Sequence, residues 1–357
     1  MRQLKMSQNI MRITSDFAVQ WANPVNVLSV LQIIGGDIIQ KALAQLAGSS
    51  WFVPVAFSFG WVSYSFEALM SVFGDGRILP PPDHSSIVVN LSTGYRRENH
   101  SWVLGRLLRD FENEPYNKLF RVSVFDVENR VPCWDWVNYS GVALMMLQCL
   151  ISIFPLILNG NWVVPLVTVV GTILGILDGA LPQWRLEKWA ARPNTHKTIA
   201  LCRGNGSQHV MILVSTGKCC DLEDLASPRV QKAPETRLLL IILAVFRCLL
   251  LLVISCVTAA CWYLFAIGAM GMVHNLIAAG ASRSPSAHGF KLSPRETFEG
   301  SKVMKVLKDL EINYPRSGAS LLKIFFPGPL RQDEEDFWRL RLISLKHVQP
   351  RQRRATV

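Results

Sequence analysis

Two apolar runs that follow one another between Asn23 and Phe73 constrain the fold of this chain most. They are roughly 25 and 23 residues long, and about 20 helical residues are enough to cross the hydrocarbon core of a bilayer. Only the Gly-Ser-Ser at 48–50 separates them. The pattern therefore predicts two membrane-spanning helices that turn straight back on each other.

Three more apolar stretches continue this pattern. Two of them, at 140–158 and 162–181, are joined by Asn-Gly-Asn at 159–161, and the third covers 238–281. The third is about forty residues long, which at ~1.5 Å per residue exceeds one span, so it is expected to turn near 256–260. Charged residues make up only 18% of the chain, against about 25% in soluble domains. The sequence therefore predicts an all-α membrane bundle of about six transmembrane helices in three tight hairpins.

The positive charges predict the orientation of these helices. All but two of the 37 Lys and Arg residues lie outside the apolar runs, and Lys and Arg collect on the cytoplasmic side of a membrane. Both termini and both long loops are therefore predicted to be cytoplasmic. The membrane itself is predicted to be that of the endoplasmic reticulum or another endomembrane. Charge beside apolar runs favours lipid headgroups as its partner and argues against nucleic acid. The predicted segments are a cytoplasmic amino end at 1–22, membrane hairpins at 23–73, 140–181 and 238–281, cytoplasmic loops at 74–139 and 182–237, and a cytoplasmic tail at 282–357.

The cytoplasmic loops carry signals for small α+β structure, and the tail carries signals for helices. Gly-Asn-Gly at 204–206 predicts a β-hairpin, and Ser101 predicts the N-cap of an amphipathic helix. The capping-box pattern Ser-x-x-Glu at 293–296, with Pro at the first helical position, predicts a helix to about Asn313. A second short tail helix is expected with the acidic run 333–336 near its start. Strands are predicted at 87–91, 119–125, 197–202 and 208–213.

Five Asp, Glu, Lys or Arg residues lie inside the predicted spans, where each costs about 2.5–3.5 kcal/mol on insertion scales. Asp37 and Lys41 are one turn apart and are predicted to neutralise each other as an ion pair. Glu67 has no basic neighbour one turn away, so its desolvated carboxyl is the first candidate for a general acid. The alternative is a structural ion pair between Arg247 and either Glu67 or Asp178. Asp37 and Asp178 are further catalytic candidates.

Motifs that accompany common cofactors and metals are missing from the sequence. There is no Walker loop, no G-x-G-x-x-G after a strand, no H-E-x-x-H, no G-x-S-x-G and no D-D-x-x-D diphosphate site. The eight cysteines form no C-x-x-C pair. The sequence therefore predicts no cofactor and no metal site.

Five stretches of the sequence carry a resemblance to known proteins: IGGDIIQKALAQLAG, FGWVSYSFEALMSVFGDGRILPPPD, CRGNGSQHVMILVS, AAGASRSP and FFPGPLR. They resemble a group of polytopic membrane proteins of filamentous fungi. The resemblance spans nearly the whole chain and implies a multi-pass membrane architecture. At the level of class, the chain is also similar to the small membrane-bound terpene cyclases of fungal meroterpenoid pathways. That similarity implies intramembrane carboxyls that protonate a polyprenyl epoxide or olefin.

Three functions are compatible with these features. The first is a membrane-embedded cyclase or isomerase of fungal secondary metabolism, which acts on a lipophilic polyprenyl or meroterpenoid substrate through Glu67, with Asp37 and Asp178 as further candidates. The second is a non-catalytic scaffold or accessory protein, in which charges such as Lys41 and Arg247 serve helix packing and the cytoplasmic loops bind a protein partner. The third is a transporter, which the sequence favours least because it shows no inverted repeat.

Overall fold

The computed structural model describes residues 25–113, 119–227, 234–257 and 260–348. Two compact units are present. The membrane unit comprises Met1–Pro80, Trp134–Lys188 and Val230–Ala281, and the α/β unit comprises Pro81–Cys133, Trp189–Arg229 and Ser282–Val357. The helices are α1 (Val25–Leu31), α2 (Gly36–Leu46), α3 (Trp61–Phe73), α4 (Trp102–Glu112), α5 (Trp136–Asn159), α6 (Val163–Gly179), α7 (Pro182–Lys188), α8 (Leu222–Ala226), α9 (Pro234–Ser255), α10 (Cys261–Gly280), α11 (Val303–Asn313), α12 (Ser317–Phe325) and α13 (Gln332–Val348). The strands are β1 (Ile87–Asn90), β2 (Arg96–Glu98), β3 (Phe120–Asn129), β4 (Thr198–Cys202), β5 (His209–Ser215) and β6 (Phe290–Gly300).

Four helices in the described part of the chain are long and apolar enough to cross a membrane: α5, α6 with its continuation α7, α9 and α10. They coincide with the second and third predicted hairpins. Exposed Leu, Ile, Val and Phe side chains line their outer faces, as expected of helices that contact lipid rather than water. The protein is therefore a membrane protein with several candidate spans.

The prediction of an all-α bundle with six spans is wrong in two respects. The first hairpin does not form two spanning helices, because α1, α2 and α3 have only 7, 11 and 13 residues. A break at Gly35, with φ 88° in the left-handed region that favours glycine, separates α1 from α2. In addition, the loops and the tail together build a six-stranded mixed sheet, so the fold combines membrane helices with an α/β unit.

A non-helical segment between α2 and α3, residues 52–60, packs inside the membrane unit, and we call it the inserted segment. Glycines on the surrounding helices make room for it. A Cβ atom on Gly271 would lie 1.9 Å from the carbonyl oxygen of Phe57, and one on Gly171 would lie 2.3 Å from the Phe57 ring. The helices approach the inserted segment this closely because these positions have no side chain.

Side-chain amides of two spanning helices satisfy the backbone of the inserted segment. Gln148 on α5 donates to the carbonyl oxygen of Phe57 at 2.7 Å. Asn275 on α10 donates to the carbonyl oxygen of Ala56 at 3.1 Å and to the Ser58 hydroxyl at 2.8 Å. Non-helical backbone is tolerated at membrane depth only where protein groups replace the missing hydrogen bonds. These two amides do so.

Contacts within the membrane unit define its two ends. At one end, which we call the loop end, Gln45 near the end of α2 donates to the carbonyl oxygen of Ala281, just past α10. At the other end, which we call the far end, the hydroxyls of Ser29 on α1 and Ser255 on α9 are 3.0 Å apart. The chain therefore runs from the far end at α1 to the loop end at α2.

The inserted segment and α3 together form a re-entrant loop. The segment starts at the loop end, where a Cβ on Gly179, the last residue of α6, would touch Val53. It turns at Gly60, which lies against the backbone of Gly35. Helix α3 then returns to the loop end, where Arg237 lies over the Phe73 ring at 5.6 Å. A re-entrant loop explains why a long apolar run contributes no complete span here.

Three separate chain segments build the sheet of the α/β unit. Its order is β2-β1-β4-β5-β3-β6, with β3 and β5 parallel and the other pairs antiparallel. The first segment supplies β1 to β3, the second supplies β4 and β5, and the third supplies β6. The predicted strands in the two loops are confirmed, as is Ser101 as the N-cap of α4, with its hydroxyl accepting from the Leu104 amide.

The tail differs from its prediction at one element. Ser293, Pro294 and Glu296 belong to strand β6, where they oppose Asp126, Phe125 and Val124 of β3. The predicted helix from 293 is therefore wrong, and α11 begins ten residues later, at Val303. Pairing with the long strand β3 overrides the local capping pattern, and an edge strand tolerates the proline. Helices α11, α12 and α13 contribute Leu307, Leu321 and Trp338 to a hydrophobic core that they share with the sheet.

Candidate functional site

The most conspicuous polar group in the membrane unit is an ion pair between α6 and α9. Arg247 donates from Nε to Oδ2 of Asp178 at 3.2 Å, and its Nη2 contacts the same oxygen. Both side chains are 1% exposed. A charged pair removed from water in this way is strongly destabilising when one partner is lost, because the other charge is then buried alone. The structure thus joins two of the residues that the sequence singled out.

Aromatic residues of α3 enclose this ion pair. The Arg247 guanidinium lies over the ring of Trp61, with Cζ 3.9 Å from the ring centroid, which adds a cation–π interaction. Tyr64 packs edge-on against Trp61 at 5.6 Å. The Trp61 Nε1 and the Tyr64 hydroxyl are buried, and neither has a hydrogen-bond partner among the residues that the structure describes. The indole of Trp184 donates to the backbone carbonyl of Asp178 at 2.9 Å.

Glu67 lies one turn beyond Tyr64 on α3 and is half-buried. Its Oε1 accepts a hydrogen bond from Ser63 at 2.8 Å, and a Cβ on Gly36 would lie 2.6 Å from the same oxygen. Of the two pairings predicted for Arg247, the structure forms the one with Asp178. Glu67 is therefore the more accessible carboxylate of the two.

The remaining predicted pair lies on α2. Asp37 is exposed in the first turn of this helix, and Lys41 is half-buried one turn later. The sequence predicted both residues in the outer half of one continuous spanning helix, but they lie just after the break between α1 and α2. Asp37 therefore does not share the enclosed surroundings of Asp178.

Glu187 is a buried carboxylate that the sequence analysis missed. It accepts hydrogen bonds from the backbone amides of Ile78 at 2.9 Å and Leu79 at 2.8 Å, and from the side chain of Gln183 at 2.6 Å. It thereby fixes the chain that leaves α3 against α7 at the loop end. Its position six residues beyond the apolar run placed it in a predicted loop, so no charge inside a span drew attention to it.

Two grooves lie on the outer faces of the candidate spans. The groove between α6 and α9 has a volume of about 490 Å³ and is lined by apolar residues, among them Leu174, Leu177 and Phe246. The groove between α5 and α10 has a volume of about 600 Å³ and contains one polar pair, Ser140 and His274. Both volumes fall in the range of small-molecule sites.

The α/β unit contains a network of charges around the start of α8. Asp221 is fully buried and caps α8 by accepting from the amides of Glu223 and Asp224. Lys197 contacts Asp221 at 2.6 Å and Glu223 at 2.9 Å. Burial alone would raise the pKa of Glu223, but hydrogen bonds from Lys197 and Asn90 outweigh burial and lower it. The network fixes α8 beside the sheet. The Asp221 carboxylate is buried and engaged in this network, so it is not placed to react with a substrate.

A second buried cluster of the α/β unit centres on Asp110 of α4. Its Oδ2 lies 2.9 Å from Nε2 of His288 and accepts from the backbone amide of Arg283 at 3.0 Å, and Arg109 binds Oδ1. Burial favours the neutral acid, but these hydrogen bonds prevail and lower the pKa of Asp110. Across the part of the chain that the structure describes, no group of three or more His, Cys, Asp or Glu residues is arranged to hold a metal ion.

Comparisons with protein-family models, curated proteins and solved structures found no match to this chain. Its function is therefore inferred from the geometry of its own residues. That geometry offers an enclosed ion pair, one half-buried carboxylate, two outer grooves and an α/β unit with a long edge strand.

Proposed function

We propose that this protein is a non-catalytic membrane adaptor, in which buried charges hold the helices together and the α/β unit binds a protein partner. The observation that carries the proposal is the enclosed pair of Asp178 and Arg247. A general acid must exchange its proton with a substrate and with solvent. A carboxylate that is 1% exposed and bound to a guanidinium is suited to joining helices instead.

The construction of the α/β unit supports the same proposal. Its three segments alternate along the chain with the spanning helices, so the parts of the sheet are linked to one another through those helices. Strand β6 lies at one edge of this sheet, and within the described residues it pairs with β3 alone. Most of its 11 residues are exposed. Exposed edge strands are sites where partner chains add by backbone hydrogen bonding, so β6 is the surface that we assign to the partner.

The charge distribution supports a location for this adaptor. The two loops and the tail carry most of the Lys and Arg residues, and positively charged loops stay in the cytosol. We therefore place the α/β unit on the cytosolic face of an endomembrane such as the endoplasmic reticulum. Since α1 begins at the far end, beside Ser255, we place Val25, its first residue, on the opposite face, whereas the sequence analysis predicted a cytoplasmic amino end.

Site-specific photocrosslinking in cells tests the adaptor. A photoreactive amino acid at Thr297, exposed on β6, is expected to give a discrete protein adduct, whereas one at Asn313, exposed at the end of α11, is expected to give none. The adduct should persist when Asp178 and Arg247 are both replaced by Leu, because an adaptor needs no reactive carboxyl there. Identical adducts at both positions, or none at Thr297, would contradict the assignment of β6.

A second candidate function is a membrane-embedded cyclase that protonates a polyprenyl substrate of fungal secondary metabolism. The observation in its favour is Glu67, which is half-buried and accepts a hydrogen bond from Ser63, whereas Asp178 is bound to Arg247. Ser63 holds the carboxyl in a fixed orientation, as a general acid requires. Of the three carboxyls predicted as candidate acids, we therefore retain Glu67.

Feeding experiments distinguish the cyclase from the adaptor. Cells that express the protein would receive polyprenylated phenols and their epoxides, and cyclised products would be sought by mass spectrometry and NMR. A cyclase that uses Glu67 should lose ~10²-fold or more of its turnover on Glu67→Gln at equal protein level. Glu67→Asp serves as the matched variant that keeps a carboxyl. An adaptor should convert none of these substrates, and equal conversion by wild type and Glu67→Gln would exclude Glu67 as the acid.

A further inference from the structure

The groove between α5 and α10 differs from the other outer groove by a polar pair in an otherwise apolar wall. Ser140 Oγ and His274 Nε2 are 3.0 Å apart. The wall around them places Leu147 and Met270 on opposite sides of the groove. The remaining lining residues are Ala143, Leu144, Ala269, Val273 and Ile277.

The hydrogen bonds of this pair determine what the groove offers to a ligand. The Ser140 hydroxyl donates its single hydrogen to the carbonyl oxygen of Val137 at 3.1 Å. Nε2 of His274 lies 3.0 Å from the same hydroxyl. Because this hydroxyl has a single hydrogen, that hydrogen is used within the protein whichever imidazole nitrogen carries the proton. Ser140 Oγ keeps one lone pair, because a hydroxyl has one donor and two acceptor sites. Ser140 therefore offers an acceptor to the groove, and a matching ligand must donate a hydrogen bond.

The position of Ser140 and His274 along their helices sets the depth in the membrane at which the ligand's hydrogen-bond donor must lie. At 1.5 Å per residue, Ser140 lies roughly 6 Å from the start of α5 and His274 roughly 9 Å from the end of α10. Exposed Trp136 and Tyr139 lie at the same end of α5, where aromatic side chains mark the boundary between lipid and water. A ligand that fits has one hydroxyl just below this boundary and an apolar body that extends past Leu147.

We propose that the groove between α5 and α10 binds a membrane sterol, whose hydroxyl donates to the Ser140 oxygen and whose rings fill the apolar wall. A sterol has one hydroxyl at one end of a rigid apolar body, which is the pattern that the lining residues present. An acyl chain of a phospholipid would leave this acceptor without a hydrogen-bond donor. The α6–α9 groove lacks a polar pair, so it has no group that would favour a sterol over an acyl chain. It therefore serves as an internal control.

A photoreactive sterol analogue, added to the full chain purified in detergent, tests this proposal. Adducts mapped by mass spectrometry should lie on α5 and α10. Leu147→Trp should block the groove and abolish this labelling, whereas the matched change Leu177→Trp in the α6–α9 groove should leave it intact; both leucines are similarly exposed, at 45% and 48%. Labelling that survives Leu147→Trp, or adducts confined to α6 and α9, would overturn the proposal.

The hydroxyl contact needs its own measurement. Free sterol should compete with the probe about five-fold better than its acetate ester, which cannot donate, because one neutral hydrogen bond contributes roughly 1 kcal/mol. Ser140→Ala should remove this preference and Ser140→Thr should restore it, with thermal unfolding followed in each variant to confirm folding. A sterol site would be refuted if the ester or phosphatidylcholine competed as well as free sterol. It would also be refuted if two copies of the chain crosslinked through this groove in place of sterol labelling.

Discussion

Asp178 on α6 and Arg247 on α9 are bound through one carboxylate oxygen, Oδ2, which receives both Nε and Nη2 of the guanidinium. The ring of Trp61 on α3 covers the guanidinium. Three separate stretches of the chain therefore meet at one charge pair. Because the pair is enclosed, loss of either partner would leave the other charge buried and unpaired, which strongly destabilises the fold.

Removing one partner of this pair should destabilise the membrane unit, and removing both should restore part of the loss. Arg247→Leu or Asp178→Leu alone is expected to cost ~3–5 kcal/mol, because each leaves a buried charge unpaired. The double variant buries no charge and should recover much of the folded yield. Thermal unfolding of the purified protein in detergent measures both effects.

The matched control combines Arg247→Leu with Glu67→Gln. Glu67 hydrogen-bonds to Ser63 at 2.8 Å, and the structure pairs Arg247 with Asp178, so the two losses should simply add. Recovery in this double variant, with none in the variant that lacks Asp178 and Arg247, would show that Arg247 pairs with Glu67 in the membrane.

The close approach of the helices to the inserted segment gives a second prediction. Gly271→Ala would place a methyl group 1.9 Å from the Phe57 carbonyl oxygen, so the segment or the helix must shift. We expect a loss of about 1–3 kcal/mol, as for other overpacked sites. Gly280→Ala is the control, because nothing lies within 4 Å of that position. Equal unfolding temperatures for the two variants would mean that α10 does not pack on the inserted segment.

The difference between the first hairpin and the others shows what hydropathy can predict. The runs that became α5, α6, α9 and α10 were identified because twenty consecutive apolar residues have few alternatives to a spanning helix. The inserted segment is just as apolar, so hydropathy could not separate it from a span. Its conformation depends on Gly171 and Gly271, which lie more than a hundred residues away, and on left-handed turns at Gly35 and Gly60.

The sequence predicted the site residues that are charged and lie inside apolar runs, but it did not predict the neutral ones. Asp178 and Arg247 were identified because ionisable residues are rare inside apolar runs. The choice between Glu67 and Asp178 as the partner of Arg247 depended on how the helices rotate about their axes, which spacing alone does not fix. Gln148 and Asn275 were overlooked, since a neutral amide in an apolar run is noticed only once the carbonyls that it satisfies are known.

Asp110 gives a prediction for the dependence of stability on pH. Its pKa is lowered in the folded protein because hydrogen bonds from His288, Arg283 and Arg109 outweigh burial. A group with a lowered folded pKa stabilises the fold above its unfolded pKa, about 3.9 for Asp, and that contribution is lost as pH falls through the folded value. Asp110→Asn should therefore lower stability at pH 6 and reduce the acid-induced loss below about pH 5.

Thermal unfolding of the full chain between pH 3 and 7 measures this effect, with Asp336→Asn as the control. Asp336 is exposed near the start of α13, so its replacement should shift the whole profile little. If Asp110→Asn and Asp336→Asn gave the same profile as the wild type, the buried cluster around Asp110 would not contribute to stability. If both flattened the profile equally, the effect would be one of net charge.

The last prediction concerns the two faces of the membrane. Val25 lies at the far end, where Ser29 contacts Ser255. Of the four native sequons, those at Asn90, Asn99 and Asn205 belong to the α/β unit, which we place in the cytosol, and the fourth, at Asn138, lies in the first turn of α5. Met11→Thr turns Asn9 into a glycosylation sequon without inserting residues. In an endoplasmic-reticulum assay we expect an endoglycosidase-sensitive mass shift only in this variant, because glycans are attached on the luminal face. A shift in the wild-type protein, which carries only the native sequons, would reverse the orientation; no shift in Met11→Thr would leave both termini on the cytosolic face and break the far-end placement of α1.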